Sequence, residues 1–599
     1  MKVPKGRLEI TWMGKDLALI PSENGKYDYE WVDRSDPRAC EVKSIEVTET
    51  IGALQGDNGA KENLMIVGDC GDALRSLGTI PELADKYLGK VKLIYIDPPF
   101  NTDQAFDHYA DALEHSVWLT MMRDRIKDIK PLMAEDASIW VHLDDSEVHR
   151  MRMVLDEELG ADKFVATIVW QKKYSRDNRP AIGAVHDYIL VYATQGAARW
   201  KATRNRIPRV NATQYRNPNR NPDGSWRPIP LDVQGGHATK SQFYDVVTPS
   251  GKVVRPANGR AWSVTEPVMQ EMIARGEVYF GLKGDGMPNT VRYLKDDEGL
   301  VPWTWWPHEE VGNNDDAKKE IIKLFGDKNV FDTPKPERLI ERIIHIGSNP
   351  GDLVLDCFAG SGTTAAVAHK LGRRWVTIEL MSSTVETFTK NRMVQVVGGS
   401  DATGLSVREC QSFVDEKLNG HVKLADARIA LRVFSSVIKN TVLDAIDKDT
   451  AAALQKELKI RLGRESEDNA VLTGGGFSVA RIGPSMYEVD DDDGSTVYLS
   501  AAATNGEFSK AIAGQLKYRL TSDHGVFCGV KGRSRLAVID GVADENVVRT
   551  VVSSLADRER AVIVAKAVLS EATELLGSLS PGSRIRKVPN EVFPKATVK

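Results

Sequence analysis

Cysteine is scarce in this chain. Five are spread over 599 residues (Cys40, Cys70, Cys357, Cys410 and Cys528), an odd number with no CxxC spacing. That pattern argues against a disulfide framework and a thiolate zinc centre, and fits a reducing, cytoplasmic setting. Long hydrophobic runs are also missing. The opening "MKVPKGRLEITWMGKDLALI" has no continuous apolar core, and no window approaches roughly 18 uninterrupted apolar residues, so neither a secretion signal nor a membrane span is expected. Positive charge is not in excess: 79 Lys and Arg against 84 Asp and Glu leave a net charge of -5, which argues against a uniformly basic nucleic-acid coat but leaves local clustering open. No internal repeat is visible.

The length suggests three or four domains at roughly 100 to 200 residues each. The segment "ENLMIVGDCGDALRSL" (62–77) predicts a short strand, a turn at Gly68-Asp69 and a helix start. A strand follows at 91–96, a helix-period segment from Glu114 to about Ala134, and strand "SIWVHL" at 138–143. Next come helix 146–159, stopped by Gly160, and strands at 164–170 and 187–194. Strands alternating with helices indicate an α/β layer with a parallel sheet.

The rhythm breaks near Gly196. From Gln171 to Arg227 there are twelve Lys or Arg against three Asp or Glu, the most basic region of the chain. Further on, "WSVTEPVMQEMIARGEVYF" predicts helix then strand, and "VPWTWWPHEEV" (301–311) an aromatic-rich loop. The α/β pattern resumes at "TPKPERLIERIIHIG". Thr333 is the expected cap of a helix whose apolar face is Leu339, Ile340, Ile343 and Ile344. Strand "DLVLD", the loop "CFAGSG", helix "TTAAVAHKL" and strand "RWVTIE" complete the unit. Beyond about residue 400 the texture changes to charged helices, a hairpin-like stretch around "GGGFSVARIGPSMYEVDDDDGSTVYL" and a small α+β unit.

Two motifs carry chemistry. In "VLDCFAGSGTT" a strand runs out through Gly360 and Gly362 into a helix at Thr363, bringing backbone N–H groups and a helix N-terminus against a ligand. Asp356 and Glu379, at the ends of successive strands 23 residues apart, are placed to accept from a ligand's amino group and ribose hydroxyls. The third glycine of the dinucleotide fingerprint is replaced by Thr363-Thr364, which favours S-adenosyl-L-methionine over a pyrophosphate ligand. A plain strand-to-helix turn is the alternative.

The other motif is "IDPPF". Each proline fixes φ and lacks an N–H, so the turn after the strand is stiff and rich in acceptors. Asp97 and the carbonyl of Pro98 then suit an exocyclic amino group, which offers two N–H donors and no charge. Drawing on both hydrogens favours a pyramidal nitrogen whose lone pair faces an electrophilic methyl group, while Phe100 stacks on the base. Such a base must be flipped from its duplex, at a cost of a few kcal/mol.

With both motifs in hand, and in the order DPPF then FAGSG around a basic insert, the chain resembles β-class adenine-N6 DNA methyltransferases. More narrowly, "LIYIDPPFNT", "VHLDDSEVH", "GEVYFG", "TWWPHEEVG", "LFGDKNVFDTPKPERLI" and "VLDCFAGSGTT" resemble the modification subunit of Type III restriction-modification systems, strongly over about 60–400. The resemblance implies a Rossmann-like methyltransferase sheet of permuted motif order, an inserted target-recognition domain and a C-terminal α+β domain. Its expected divisions are 1–60 as an N-terminal extension, 61–195 as the catalytic part, 196–328 as target recognition, 329–400 as the cofactor-binding part and 401–599 as the C-terminal domain.

It further implies catalysis by Asp97, Pro98, Pro99 and Phe100, and cofactor binding by Asp356, Phe358, Gly360, Gly362, Thr363 and Glu379, with Lys335, Pro336 and Asp69, the last at the cofactor's adenine. The family usually has tyrosine where Phe100 stands, which keeps cytosine-N4 methylation open. Double-stranded DNA, a second copy of the chain, and a helicase/nuclease restriction subunit or other defence protein are the implied partners. A recognition subunit with lost or secondary methylation is the competing function. Lys172, Lys173, Arg176 and Arg179 follow a strand and are candidates to guide DNA; an exposed solubilising surface is the other reading of each.

Several features have plainer explanations. His142, Asp144, Asp145 and His149 resemble metal ligands, but Asp144 with Glu147 matches a capping box, and no metal is expected. Asp490 to Asp493 reads as a solvated turn. Trp303, Trp305 and Trp306 fit either DNA stacking or buried packing.

Overall fold

The computed structural model describes residues 9–21, 29–54, 63–101, 114–176, 180–209, 224–294, 299–327, 331–411, 450, 464–468, 471–489, 497–503, 506–522, 525–589 and 591–593. They form two compact units, one of 206–302 and one of the chain on either side of it.

The larger unit is built on a ten-stranded sheet. In chain order its strands and principal helices are β1 (Ile45–Gly52), β2 (Leu64–Val67), α1 (Cys70–Thr79), β3 (Val91–Ile96), α2 (His115–Ile129), β4 (Met133–Leu143) and α3 (Val148–Leu155), then β5 (Phe164–Gln171), β6 (His186–Ala193), β7 (Trp305–Trp306), α4 (Glu337–Gly347), β8 (Leu353–Asp356), α5 (Thr363–Lys370), β9 (Arg374–Glu379) and β10 (Gly476–Ile482). The strand order is β7-β5-β6-β4-β3-β8-β9-β2-β10-β1. β6 and β1 run against the rest, so the sheet is mixed where a parallel one was expected. β6 follows β5 through residues 172–185 and pairs antiparallel with both β5 and β4.

Alternation along β3 sorts its side chains between two layers. Ile94 and Ile96 pack in one core with Trp118 and Met122 of α2, whereas Leu93 lies against Gly347 of α4. Each such fully buried side chain contributes about 1.5–3 kcal/mol. Leu339, Ile340, Ile343 and Ile344 of α4 are all buried, as their spacing predicts.

Some boundaries differ from the sequence-based expectation. α2 ends at Ile129, where Pro131 permits only a short 3-10 turn, and β4 starts at Met133. α3 begins after Glu147 with no capping box; the Asp144 carboxylate instead accepts from the Ser146 N–H at 2.8 Å. Pro336, not Thr333, occupies the N-cap position of α4, with extended backbone and no side-chain hydrogen bond to the helix. Within 301–311 the expected loop holds β7 and a short helix, His308–Val311. β10 joins the main sheet beside β2, so the hairpin expected there is confined to Tyr487–Val489 and Val497–Leu499. β1, from the expected N-terminal extension, forms one edge of the same sheet. The charged helices expected after 400 fall largely outside the described residues, as does the turn at Asp490 to Asp493.

The smaller unit, 206–302, is narrower than the expected 196–328. It holds a three-stranded sheet, two strand pairs and helix Glu266–Ala274 around Leu231, Trp262, Met269 and Phe280. The described residues of 506–593 include a five-stranded sheet, with both antiparallel and parallel pairs, and helices. No helix among the described residues is long and apolar enough to cross a membrane.

Candidate active site

β3 and β8 are hydrogen-bonded neighbours running in parallel, with Ile94 opposite Leu355. From β3 the chain crosses through α2 to β4 on one side; from β8 it crosses through α5 to β9 on the other. The carboxyl ends of these two strands therefore flank a topological switch point, where open α/β sheets form a ligand crevice. The two sequence motifs, 262 residues apart at Asp97 and Ala359, meet there.

Asp97 leaves β3 with its Oδ2 2.5 Å from the Lys335 Nζ. Its Oδ1 is buried and has no hydrogen-bond partner among the described residues. Pro99 is pinned by the Trp118 indole, whose Nε1 donates to the Pro99 carbonyl at 2.7 Å. The Phe100 ring stacks on His142, centroids 5.8 Å apart at 27°, and lies 5.1 Å from the Lys335 ammonium. Burial pushes the His142 imidazole below its ordinary value, so a neutral ring backs Phe100. His142 Nδ1 shares a 2.9 Å hydrogen bond with the Tyr95 hydroxyl, and Asp187 stands 3.5 Å from its Nε2.

From the β8 side, Asp356 Oδ1 accepts from the Phe358 N–H at 3.0 Å. Burial pushes the Asp356 carboxyl up to about 7. Glu379, at the end of β9, accepts from the Gly360 N–H at 2.8 Å and the Met381 N–H at 3.1 Å; burial raises its carboxyl too. Gly360 and Gly362 have φ of +49° and +77°, and a Cβ on either would come within 3.0 Å of Phe331 or Thr389. These glycines are thus demanded by the loop and its protein neighbours, before any ligand is considered.

Other predicted residues are drawn into the fold. Asp69 caps α1, accepting from the Gly71 and Asp72 N–H groups, and takes both its oxygens to Arg125. The Thr363 hydroxyl receives Arg392 at 2.8 Å. Phe358 is buried. Lys335 reaches the proline turn at Asp97 from just before α4, while Pro336 packs by Gly312.

Of the basic quartet, Lys172 is tied to the nearly buried Asp187 at 2.5 Å, whereas Lys173 and Arg176 are exposed; Arg179 lies outside the described residues. Trp306 is buried, while Trp303 and Trp305 are exposed.

The sequence reading did not place the Lys335 ammonium against Asp97, or His142 against Phe100. It also missed a buried ionic cluster behind α5. There Glu337 receives Lys370 and Arg392 at 2.8 Å each, and Lys370 also meets Asp401 at 2.7 Å. The one available signal was charged residues interrupting apolar helix faces.

The residues present fit a ligand with amino and hydroxyl donors: carboxylates end three adjacent strands, and a buried Asp97 oxygen stands without a partner among the described residues.

A family model described as "DNA methylase", of N6/N4 type, matches residues 91–390. The chain is 33% identical over 341 residues to the Type III restriction-modification enzyme StyLTI Mod subunit of Salmonella typhimurium, covering 52% of this chain and 50% of that protein. It is 28% identical over 469 residues to the probable Type III enzyme HindVI Mod subunit of Haemophilus influenzae, covering 68% and 59%. The match thus spans only about half to three-fifths of these relatives' length. Among solved structures, PvuII DNA methyltransferase (cytosine-N4-specific) aligns at 12% identity and a TM-score of 0.31, covering 69% of this chain and 96% of that one. The resemblance to Type III modification subunits is borne out by the sequence matches.

Proposed function

The chain belongs to the N6/N4 DNA methylase family, and from that premise we propose that it methylates the N6 amino group of adenine in duplex DNA. The observation that supports this reading best is the buried Asp97 Oδ1, unpartnered among the described residues, on a proline turn beside the glycine loop. An uncharged amino group satisfies it, since a buried acceptor without a partner costs about 1–3 kcal/mol.

Asp97 and the Pro98 carbonyl accept the two N–H donors, and the target base, flipped from the duplex, stacks on Phe100. The cofactor, S-adenosyl-L-methionine, supplies an electrophilic methyl group when bound. Asp356, Phe358, Gly360, Gly362, Thr363 and Glu379 would hold it, with Asp69, Lys335 and Pro336 bordering them. As the amino nitrogen gains its methyl group it loses one proton, which Asp97 Oδ1 is placed to receive. No covalent bond to the protein is required, so the rate gain comes from positioning and electrostatics.

The same reading assigns 206–302 to target recognition and Lys173 and Arg176 to DNA phosphates. It makes the chain the modification and recognition subunit of a cytoplasmic restriction-modification or related defence system, acting as a dimer with a restriction subunit. Support comes from the Type III relatives.

Modification-sensitive sequencing of genomic DNA from cells carrying the wild-type protein or Asp97→Ala tests the assignment. The expected result is N6-methyladenine at one recurring sequence, with turnover lowered about 10²-fold or more in the variant. N4-methylcytosine at that sequence would change the base. Absence of any modification, with DNA binding intact, would make the chain a recognition subunit alone.

A further inference from the structure

Asn101 closes the catalytic turn with φ of +62°, a left-handed conformation that few non-glycine residues hold and asparagine tolerates best. Its side chain is buried, and its Nδ2 donates to the Glu147 Oε1 at 2.8 Å. Glu147 is itself wholly buried, just past the end of β4 and at the start of α3. The same carboxylate pairs with His115 at the start of α2 and with the Arg150 Nη1 at 3.3 Å. One carboxylate thus gathers the catalytic turn and the first turns of two helices. α2 contributes again through Trp118, which holds the Pro99 carbonyl.

A carboxylate buried this completely persists only when its partners replace water. Nothing in the chemistry of methyl transfer uses Glu147 directly. What it does is hold the residue that follows Phe100, four positions after Asp97. Directed acceptors are what an amino group with two N–H donors requires, and small misplacements of such groups cost rate steeply.

We propose that Glu147 is a positioning residue for methyl transfer, locking Asn101 in its left-handed turn so that the acceptors on Asp97 and Pro98 meet the amino group at a fixed angle. This rests on the DNA-methylation reading given above.

The test uses full-length protein, unmethylated genomic DNA and radiolabelled S-adenosylmethionine. Asn101→Asp sets two carboxylates against each other. Asn101→Asp with Glu147→Gln restores a donor–acceptor pair of reversed polarity. The single variant is expected to lose about 10²-fold in kcat, with KM for the cofactor within about twofold. The double variant should recover about tenfold or more of that loss. If Asn101→Asp does not fold, Asn101→Gly accepts the positive φ without the side chain and is expected to fold and lose about tenfold in kcat.

Unchanged kcat in Asn101→Asp, or in Asn101→Gly where that replaces it, would overturn the proposal. So would a loss the double variant does not repair, or a cofactor KM rising in step with the fall in kcat. An inactive wild type that binds neither DNA nor cofactor would overturn the methylation reading and this proposal with it, whereas an active wild type with unaffected variants would overturn this one alone.

Discussion

Lys335 and Asp97, 238 residues apart in the chain, form an ion pair of 2.5 Å across the crevice, and the same ammonium lies over the face of Phe100. One cation therefore sits beside both groups that the amino base would use. Among the described residues it leaves Asp97 Oδ1 as the carboxylate atom without a partner, the atom that the proposed function gives to the amino group.

Replacing this cation should disorder the acid. Lys335→Met is expected to lower single-turnover methyl transfer by about tenfold or more, and Lys335→Arg to retain part of the rate, since guanidinium keeps the charge but not the point geometry. Rapid-quench measurement of labelled methyl groups in DNA checks both. Equal rates for the Lys335→Met variant and the wild-type protein would remove Lys335 from the mechanism.

As a cofactor ligand in the proposed function, Asp356 is expected to tie cofactor affinity to pH. Burial raises its carboxyl to about 7, so in the free protein it is largely protonated at mildly acidic pH. The folded value lies above the unfolded one of about 3.9, so the folded state binds more protons between about pH 4 and 7. Stability contributed by this group is therefore greatest at low pH and declines across that window. A cationic amino group on the ligand favours the carboxylate. S-adenosylmethionine affinity is thus expected to rise between about pH 5.5 and 7, with proton uptake by buffer on binding; Asp356→Asn should flatten the dependence. Calorimetry in two buffers of different ionisation enthalpy reads both quantities.

The cluster behind the glycine loop governs stability. Removing Glu337 leaves Lys370 and Arg392 buried without their shared counter-charge. Glu337→Ala is expected to cost about 3–5 kcal/mol, and Glu337→Gln less, seen as a lower midpoint of denaturant unfolding. A midpoint unchanged by the alanine variant would show that the cluster contributes little.

Two adjacent lysines should behave differently on DNA. Lys173 is exposed, so Lys173→Ala should reduce the slope of log affinity against log salt by about one phosphate contact. Lys172 serves Asp187 inside the fold, so Lys172→Ala should lower the unfolding midpoint and leave that slope nearly unchanged. Fluorescence titrations at several salt concentrations, with thermal melts, separate the two.

The parts legible in the sequence were those determined by local physics. The β-branched run at 91–96, the glycine bend at 360–362 and the apolar stripe of α4 each state their conformation within a few residues, because periodicity, φ requirements and burial act over short range. The acids and aromatic ring of the crevice were visible for the same reason: a proline turn after a strand is a local statement. What the sequence could not determine was which distant groups would share one environment. Reversal of β6, recruitment of β1 and β10 into the main sheet, and the meeting of Lys335 with Asp97 or Glu147 with Asn101 depend on chain closure over tens to hundreds of residues. Glu147 matched a helix cap on spacing alone, yet became a buried hub because packing removed its water, and only the tertiary structure decides where water is excluded.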